Sequence, residues 1–155
     1  MKEKLLYSRY PVTWAVVFEK GDEFSEGIRR FAKQHNLSAS RITGIGSFSD
    51  VVFGWFDREK RDFKKITLSE QVEVLSLLGD ISRENGEPRV HVHCVVGRSD
   101  GSAHGGHVFE AHVWPTLEVI ITEVPSYLRR RHDPSTGLML IDLETEAEQV
   151  PAKTV

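Results

Sequence analysis

Apolar and polar residues alternate over short stretches of the chain, which predicts a protein built mainly of β-strands. The stretch 12–18 is apolar on both faces and rich in valine, a pattern typical of a buried strand. Further strands are predicted at 40–46, 51–56, 63–67, 90–96, 108–113 and 117–122. The charged stretch between the second and third of these strands predicts a hairpin, and a loop is predicted over 98–106.

One helix is predicted between Asp22, its expected N-cap, and Asn36, its expected stop. Phe24, Ile28 and Phe31 recur at the i, i+4, i+7 spacing that places side chains on a single helix face. The sequence therefore predicts an amphipathic helix after the first buried strand.

The stretch 70–81 fits two structures. Val74, Leu77 and Ile81 follow helical spacing, whereas the alternation that begins at Val72 fits a strand. Periodicity alone leaves both open. Many strands and one clear helix indicate the α+β class, with a mainly antiparallel sheet.

Composition limits the kinds of protein that this chain can be. The 155 residues suit one domain, expected over 10–143 between a flexible N-terminus at 1–9 and a tail at 144–155. With 39% hydrophobic and 28% charged residues, a disordered chain is excluded, and the net charge of −3 argues against a strongly basic nucleic-acid binder. No apolar run is long enough to span a membrane. A single cysteine, Cys94, and no predicted signal peptide lead us to expect a cytoplasmic protein.

Five of the seven histidines fall within 22 residues. His91 and His93 are two positions apart on a predicted strand, so their side chains share one face, and Cys94 faces the core. If this strand pairs antiparallel with the next so that paired residue numbers sum to 200, His93 lies opposite His107. A slip of one residue would break that arrangement. Three imidazoles suit Zn²⁺ with a fourth, open position. The alternative is a polar sheet face on which His104 and His112 are solvated.

Six segments, in sequence order, resemble the plants and prokaryotes conserved domain (PPC domain). They are 16–23, 39–47, 72–81, 90–93, 100–107 and 116–121. The resemblance covers 10–125 and implies a small α+β domain that assembles as a homotrimer, with a strand at 70–81. Two strands that are apolar on both faces, 12–18 and 117–122, also predict burial between subunits.

The resemblance also bears on the site. A pattern H-x-H…G-G-H of prokaryotic members falls on His91, His93 and His107, and the fold is similar to that of acetolactate decarboxylase, a zinc enzyme. Glu118 and His104 are candidates for side chains that support the metal ligands. These two and Glu110 are the candidates for a general acid or base. Zinc, or another divalent ion, is expected at one per subunit.

Prokaryotic members of this kind are predicted DNA-binding proteins. The Arg-Gly-Arg-Pro hook of plant members is missing from this chain, so we expect weak, salt-sensitive DNA binding. The candidate contacts are Arg58, Lys60, Arg61, Lys64, Lys65, Arg129, Arg130 and Arg131. Three functions stay open: a DNA-associated regulatory trimer with a metal site, a zinc enzyme acting on a small oxygen-rich substrate, and a non-catalytic ligand-binding or assembly module.

Overall fold

A computed structural model describes residues 1–7 and 11–143 and confirms the α+β class. The strands in chain order are β1 (Lys2–Tyr7), β2 (Val12–Glu19), β3 (Ser40–Asp57), β4 (Asp62–Leu68), β5 (Val72–Glu84), β6 (Glu87–Gly97), β7 (Ala103–Glu123), β8 (Arg129–Asp133) and β9 (Leu138–Asp142), and the helix is α1 (Phe24–Gln34). All strands belong to one sheet, and every named pairing is antiparallel except the single contact between β5 and β8. None of the helices in these residues is long and apolar enough to cross a membrane.

Helix α1 packs its apolar side against the sheet. Phe24, Ile28 and Phe31 are buried, as the spacing predicts. The N-cap is Glu23 rather than Asp22: its carboxylate accepts the backbone N–H groups of Ser25 and Glu26. The same carboxylate accepts the N–H of Ala111 at 3.1 Å, so the cap also fastens the start of the helix to β7.

Four strands form a closed ring of pairings. Strand β3 pairs with β5 on one side and β7 on the other, and β6 pairs with both β5 and the first residues of β7. A ring leaves few free strand edges, and the apolar core takes buried side chains from all four of these strands as well as from β2 and α1.

Strand β5 resolves the ambiguous stretch as a strand. It forms a hairpin with β6 around Asn85 and Gly86, which both have positive φ values of 51° and 83°. Two residues with positive φ form the turn that matches the twist of paired strands, and an Asn-Gly pair adopts it readily. This turn fixes the register, so that Asp80 lies opposite His91.

The strands are longer than the sequence predicts. The stretches 40–46 and 51–56 are parts of β3, and 108–113 and 117–122 are parts of β7, which continues through a cis Trp114–Pro115 bond. The loop expected over 98–106 ends earlier, because β7 begins at Ala103.

Both chain ends contribute strands that the sequence analysis missed. Residues 2–7, expected to be flexible, form β1 against β2. Residues 129–142 form the hairpin β8–β9, which joins the sheet only through Arg83 and Arg129. The tail predicted at 144–155 lies outside the described residues, as do positions 8–10.

Candidate metal centre

Three imidazoles converge on one face of the sheet at the junction of β6 and β7. His93 pairs with His107, so the predicted register with a sum of 200 is confirmed. His91 lies two residues before His93, and their Nε2 atoms are 3.1 Å apart. One ring nitrogen from each of the three lies within 4.8 Å of the others.

The spacing of these nitrogens fits a small divalent ion. Zinc–imidazole bonds of about 2.0–2.1 Å place neighbouring ligand atoms of a tetrahedral site about 3.3 Å apart. The pair formed by His91 and His93 already meets this spacing at 3.1 Å. His107 is the third corner of the triangle, and its ring centroid is 5.3 Å from that of His91 and 5.4 Å from that of His93.

A close backbone approach holds the two histidine strands together. A Cβ atom on Gly105 would lie 2.5 Å from the carbonyl oxygen of Cys94, so only glycine permits this pairing. Cys94 faces the core, as predicted, and is buried. Burial raises the pKa of its thiol to about 12, so it is no thiolate ligand.

The surroundings favour neutral imidazoles. Burial, followed by electrostatic repulsion from His91, His93, Arg89 and Arg130, lowers the pKa of His107 to about 4. Burial and then His91 also lower the pKa of His93. A metal ion binds neutral imidazole, so these ring nitrogens are available at neutral pH.

A carboxylate and a guanidinium lie next to Nδ1 of His91, the ring nitrogen that does not face His93. Asp80 Oδ2 lies 3.5 Å from Nδ1 of His91, and Nη2 of Arg130 donates to both oxygens of Asp80 at 2.9 and 3.0 Å. Burial opposes ionisation of Asp80, but hydrogen bonds from His91 and Arg130 outweigh it, so its pKa is lowered. A carboxylate that holds the second nitrogen of a ligating histidine fixes the ring orientation.

The residues predicted to support the ligands lie elsewhere. Glu118 is eleven positions after His107 on β7, about 35 Å along the strand, and pairs with Val17 and Ile45. His104 is three residues from His107, on the opposite face of β7, and pairs with Val96. The structure brings neither side chain to the three histidines, and the polar side chains next to Nδ1 of His91 are those of Asp80 and Arg130.

Neither Glu110 nor His112 belongs to the centre. Glu110 is exposed and pairs with Val52. Nδ1 of His112 lies 2.7 Å from Asp50 Oδ1, and this hydrogen bond raises the pKa of the histidine. The three candidates for acid–base chemistry thus all lie away from the three histidines: Glu118, His104 and Glu110.

A small cavity of about 180 Å³ borders His107. Arg29 of α1 and Arg89 of β6 contribute to its lining, together with apolar side chains that include Phe109. No carboxylate lines this cavity within the part of the chain that the structure describes. The arrangement suits an anionic ligand beside the histidines better than proton transfer.

The predicted basic residues separate into two groups. Arg58, Lys60, Arg61, Lys64 and Lys65 are exposed on the β3–β4 hairpin.

The second group, Arg129–Arg131, lies on β8. The side chain of Arg130 is only 8% exposed and is paired with Asp80, so little of it is open to a nucleic acid. The first group contacts the β8–β9 hairpin at its turn, where Nη2 of Arg61 donates to the carbonyl of Ser135 at 3.2 Å.

Comparison with known proteins then identifies the fold. The family model described as the Plants and Prokaryotes Conserved (PCC) domain, which is the PPC domain of the sequence analysis, matches residues 8–125. The chain belongs to this family. Among curated proteins, none matches the chain.

Solved structures of similar proteins agree with the PPC-domain assignment. A Bacteroides thetaiotaomicron protein described as a "putative DNA binding protein" shares 26% identity with a TM-score of 0.86, over 92% of this chain and 99% of that one. A "metal-containing protein" from Archaeoglobus fulgidus shares 30% identity with a TM-score of 0.78, over 91% of this chain and 99% of that one.

The expected likeness to acetolactate decarboxylase holds at the level of the fold. A Staphylococcus aureus protein of unknown function, described as similar to alpha-acetolactate decarboxylase, aligns with this PPC domain at a TM-score of 0.53 and 15% identity. The alignment covers 70% of this chain and 51% of that one.

The roles of Asp80 and Arg130 escaped the sequence analysis for different reasons. The Asn85-Gly86 pair is a turn signal, and residues paired across a hairpin have numbers with the same sum as the two turn residues. That sum is 171, which places Asp80 opposite His91. No turn signal in the sequence indicates the position of Arg130. Strand β8 is distant in sequence from β5, and the two strands pair only between Arg83 and Arg129 within the described residues.

Proposed function

We propose that this PPC-domain protein holds one divalent ion, zinc by its ligand chemistry, at His91, His93 and His107. We propose that it serves as a homotrimeric, DNA-associated regulatory module of the cytoplasm. The observation that carries the proposal is the convergence of three ring nitrogens within 4.8 Å. The support given to His91 by Asp80 is consistent with a metal ligand. Metal analysis of the purified chain tests it: one ion per chain is expected, and a chain that holds none after equilibration with Zn²⁺ contradicts it.

An exposed apolar face supports the homotrimer. Ile45, Leu75, Leu78 and Ile120 are 61%, 58%, 54% and 40% exposed. They line one open depression of about 470 Å³ in the sheet, which Glu118 also borders. A contiguous apolar surface of this kind on a small domain is typical of a subunit interface. Three copies arranged around an axis would bury it.

We predict that a charge placed in this depression separates the subunits. Light scattering of the wild-type protein is expected to give three times the 17.6 kDa mass of the chain. Ile45→Glu is expected to give the single-chain mass, because a buried charge at an interface is costly. Trp55→Glu, which changes an exposed apolar side chain outside the depression, is the control. A wild-type mass of 17.6 kDa at micromolar concentration contradicts the homotrimer.

The exposed basic groups support contact with DNA phosphates. The β3–β4 hairpin carries five exposed cationic side chains, and Arg61 joins it to the turn of β8–β9. This contact places the exposed cations of the β3–β4 hairpin next to the β8–β9 turn. Because the acids Asp57 and Asp142 pair with Lys60 and Arg131, only part of the charge is available to phosphate.

We predict weak DNA binding that depends steeply on salt. With about four phosphate contacts, affinity for a duplex is expected to fall about 100-fold between 50 and 200 mM salt. The double variant Arg61→Gln, Lys64→Gln is expected to weaken binding and to flatten the salt slope by about two units, without a change in sequence preference. Fluorescence anisotropy measures both. Arg30→Gln, an exposed arginine on α1, is the control, and binding that is insensitive to salt contradicts the prediction.

The cavity beside His107 favours ligand binding at the metal as the second candidate function. Arg29 and Arg89 would attract an anionic, oxygen-rich molecule to this cavity, which His107 helps to line. A bound ligand that changes the visible spectrum of the Co²⁺-substituted protein, without turnover, would support a ligand-binding module rather than an enzyme.

A further inference from the structure

Three phenylalanine rings form an aromatic cluster beside His107: Phe56, Phe63 and Phe109. The ring centre of His107 lies 5.4 Å from that of Phe63 on β4 and 5.1 Å from that of Phe109 on β7. Phe63 meets Phe109 edge to face at 5.3 Å, and Phe56 of β3 at 5.2 Å. Since β7 lies between β6 and β3, His107 connects the two histidines of β6 to this aromatic cluster.

A glycine makes room for these rings next to the third ligand. Gly54 of β3 pairs directly with His107. A Cβ atom at this position would lie 2.5 Å from Cε2 of Phe109 and 2.8 Å from Cδ1 of Phe63. The two rings, from strands on either side of β3, therefore fill the space that a side chain on Gly54 would take. A glycine inside a strand is typical of such a close approach.

The rings of Phe63 and Phe109 keep part of their surface open. Both are half-buried, whereas Phe53 of the core is 0% exposed. Nζ of Lys65 lies 5.8 Å from the ring centre of Phe109, so a cation already contacts this ring. Phe63 packs against other rings, and its open surface therefore offers an apolar contact.

The other side of the centre has a different character. Asp80 and Arg130 lie beside His91, and they pair with each other. A ligand at the open position of the metal would thus have charged side chains near it on the His91 side and aromatic rings on the His107 side. Such surroundings favour a ligand with one apolar part.

Phe63 lies within reach of a ring on that ligand. An ion bound about 2.0–2.1 Å from an imidazole nitrogen lies about 3 Å from the centre of that imidazole. Because Phe63 is 5.4 Å from His107 between ring centres, it lies at most about 9 Å from the ion. A phenyl group attached to a metal-binding oxygen group is centred about 5–6 Å from the ion, and paired aromatic rings are about 4.5–7 Å apart. A phenyl group that points toward β4 therefore contacts Phe63.

We infer that the ligand of the histidine centre carries an aromatic ring next to its metal-binding oxygens, and that Phe63 holds this ring. The inference rests on the proposed metal site and names the class of its ligand, which is an aromatic carboxylate or a related aromatic oxygen acid. The negative charge of such a ligand agrees with the two arginines that border the cavity beside His107. Its ring gives the open surface of Phe63 an apolar partner.

Two hydroxamates of different size test this inference. Acetohydroxamate and benzohydroxamate offer the same two oxygens to a metal ion and differ in carrying a methyl or a phenyl group. Each is titrated into the Co²⁺-loaded chain, and the visible spectrum of the metal records binding. We expect benzohydroxamate to bind about 10-fold more tightly, because a contact between rings adds to the burial of apolar surface. The metal-free chain, followed by calorimetry, is expected to bind neither.

Two substitutions within the aromatic cluster assign this difference to Phe63. Phe63→Leu is expected to lower the ratio of the two affinities to about 3 or less, while the affinity for acetohydroxamate stays within about 2-fold of wild type. Phe56→Leu is the matched control, since it removes an equal ring that packs on the far side of Phe63, and the ratio is expected to stay within about 2-fold of wild type. Because both probes are measured on the same variant, a weaker metal site or partial unfolding affects them alike.

The outcomes separate this inference from the proposed metal site. A chain that takes up neither Co²⁺ nor Zn²⁺ contradicts the metal site and the inference together. Equal affinities of the metal-loaded wild type for the two hydroxamates, or no binding of either, leave the metal site intact and overturn the inference. An unchanged ratio in Phe63→Leu, an equal drop in Phe56→Leu, or binding of benzohydroxamate by the metal-free chain also overturns it.

Discussion

Replacing His93 with alanine is expected to abolish metal binding. His93 lies between the other two ligands, 3.1 Å from His91 between the Nε2 atoms and directly opposite His107 in the strand pairing. The variant keeps only two ligands, and we expect affinity for Zn²⁺ to fall by at least about 100-fold, since changes to groups that merely support a ligand already cost 10- to 100-fold. Competition with a chromophoric chelator measures the affinity.

Two histidines outside the centre provide matched controls for this measurement. His104→Ala and His132→Ala are expected to bind one ion per chain, because His104 occupies the opposite face of β7 and His132 lies on β8. The spectrum of Co²⁺ bound to wild-type protein should indicate tetrahedral geometry and vanish only in His93→Ala. Full metal content in His93→Ala would show that the ion is held elsewhere.

Replacing Gly79 with alanine is expected to destabilise the domain and disturb the centre together. A Cβ atom on Gly79 would lie 2.4 Å from the carbonyl oxygen of His91 and 3.1 Å from the Cα of Val92. These are backbone atoms, so β5 and β6 must separate to make room. We expect the free energy of unfolding to fall by about 3 kcal/mol and Zn²⁺ affinity to fall as well, as His91 loses its place opposite Asp80.

Gly97 is the matched control for this change. It lies on β6, in the same pair of strands as Gly79 of β5, but its added Cβ would meet only the flexible end of Leu75 at 3.3 Å. Gly97→Ala is expected to stay within about 0.5 kcal/mol of wild type, since alanine also reduces the freedom of the unfolded chain. Urea denaturation measures both variants. Equal stabilities for Gly79→Ala and Gly97→Ala would contradict the close approach of β5 and β6.

The sequence predicted those parts of the fold that depend on residues close together in the chain. The helix face of Phe24, Ile28 and Phe31 is buried as predicted, and the pairing of His93 with His107 follows from alternation and a short connecting loop. Both depend on residues close in sequence, where spacing sets geometry.

Contacts between distant segments account for what the sequence analysis missed. Arg130 reaches Asp80 across 50 residues, through a hairpin that joins the sheet by one parallel contact. Glu118 lies far from the histidines because β7 is one strand of 21 residues, where the sequence predicts two shorter ones. The periodic spacing of apolar residues does not predict contacts between segments that are far apart in the chain.

The closed ring of strands has a consequence for the order of folding. The pairing of β3 with β7 joins residues between 53 positions apart, for Gly54 and His107, and 83 positions apart, for Ser40 and Glu123, and such contacts form slowly. His91, His93 and His107, in contrast, lie within 17 residues on two strands connected by a short loop. Local strand pairs of this kind form in microseconds. The three ligands therefore meet while the ring is still open, and an ion captured at that stage would act as a nucleus around which the distant strands assemble.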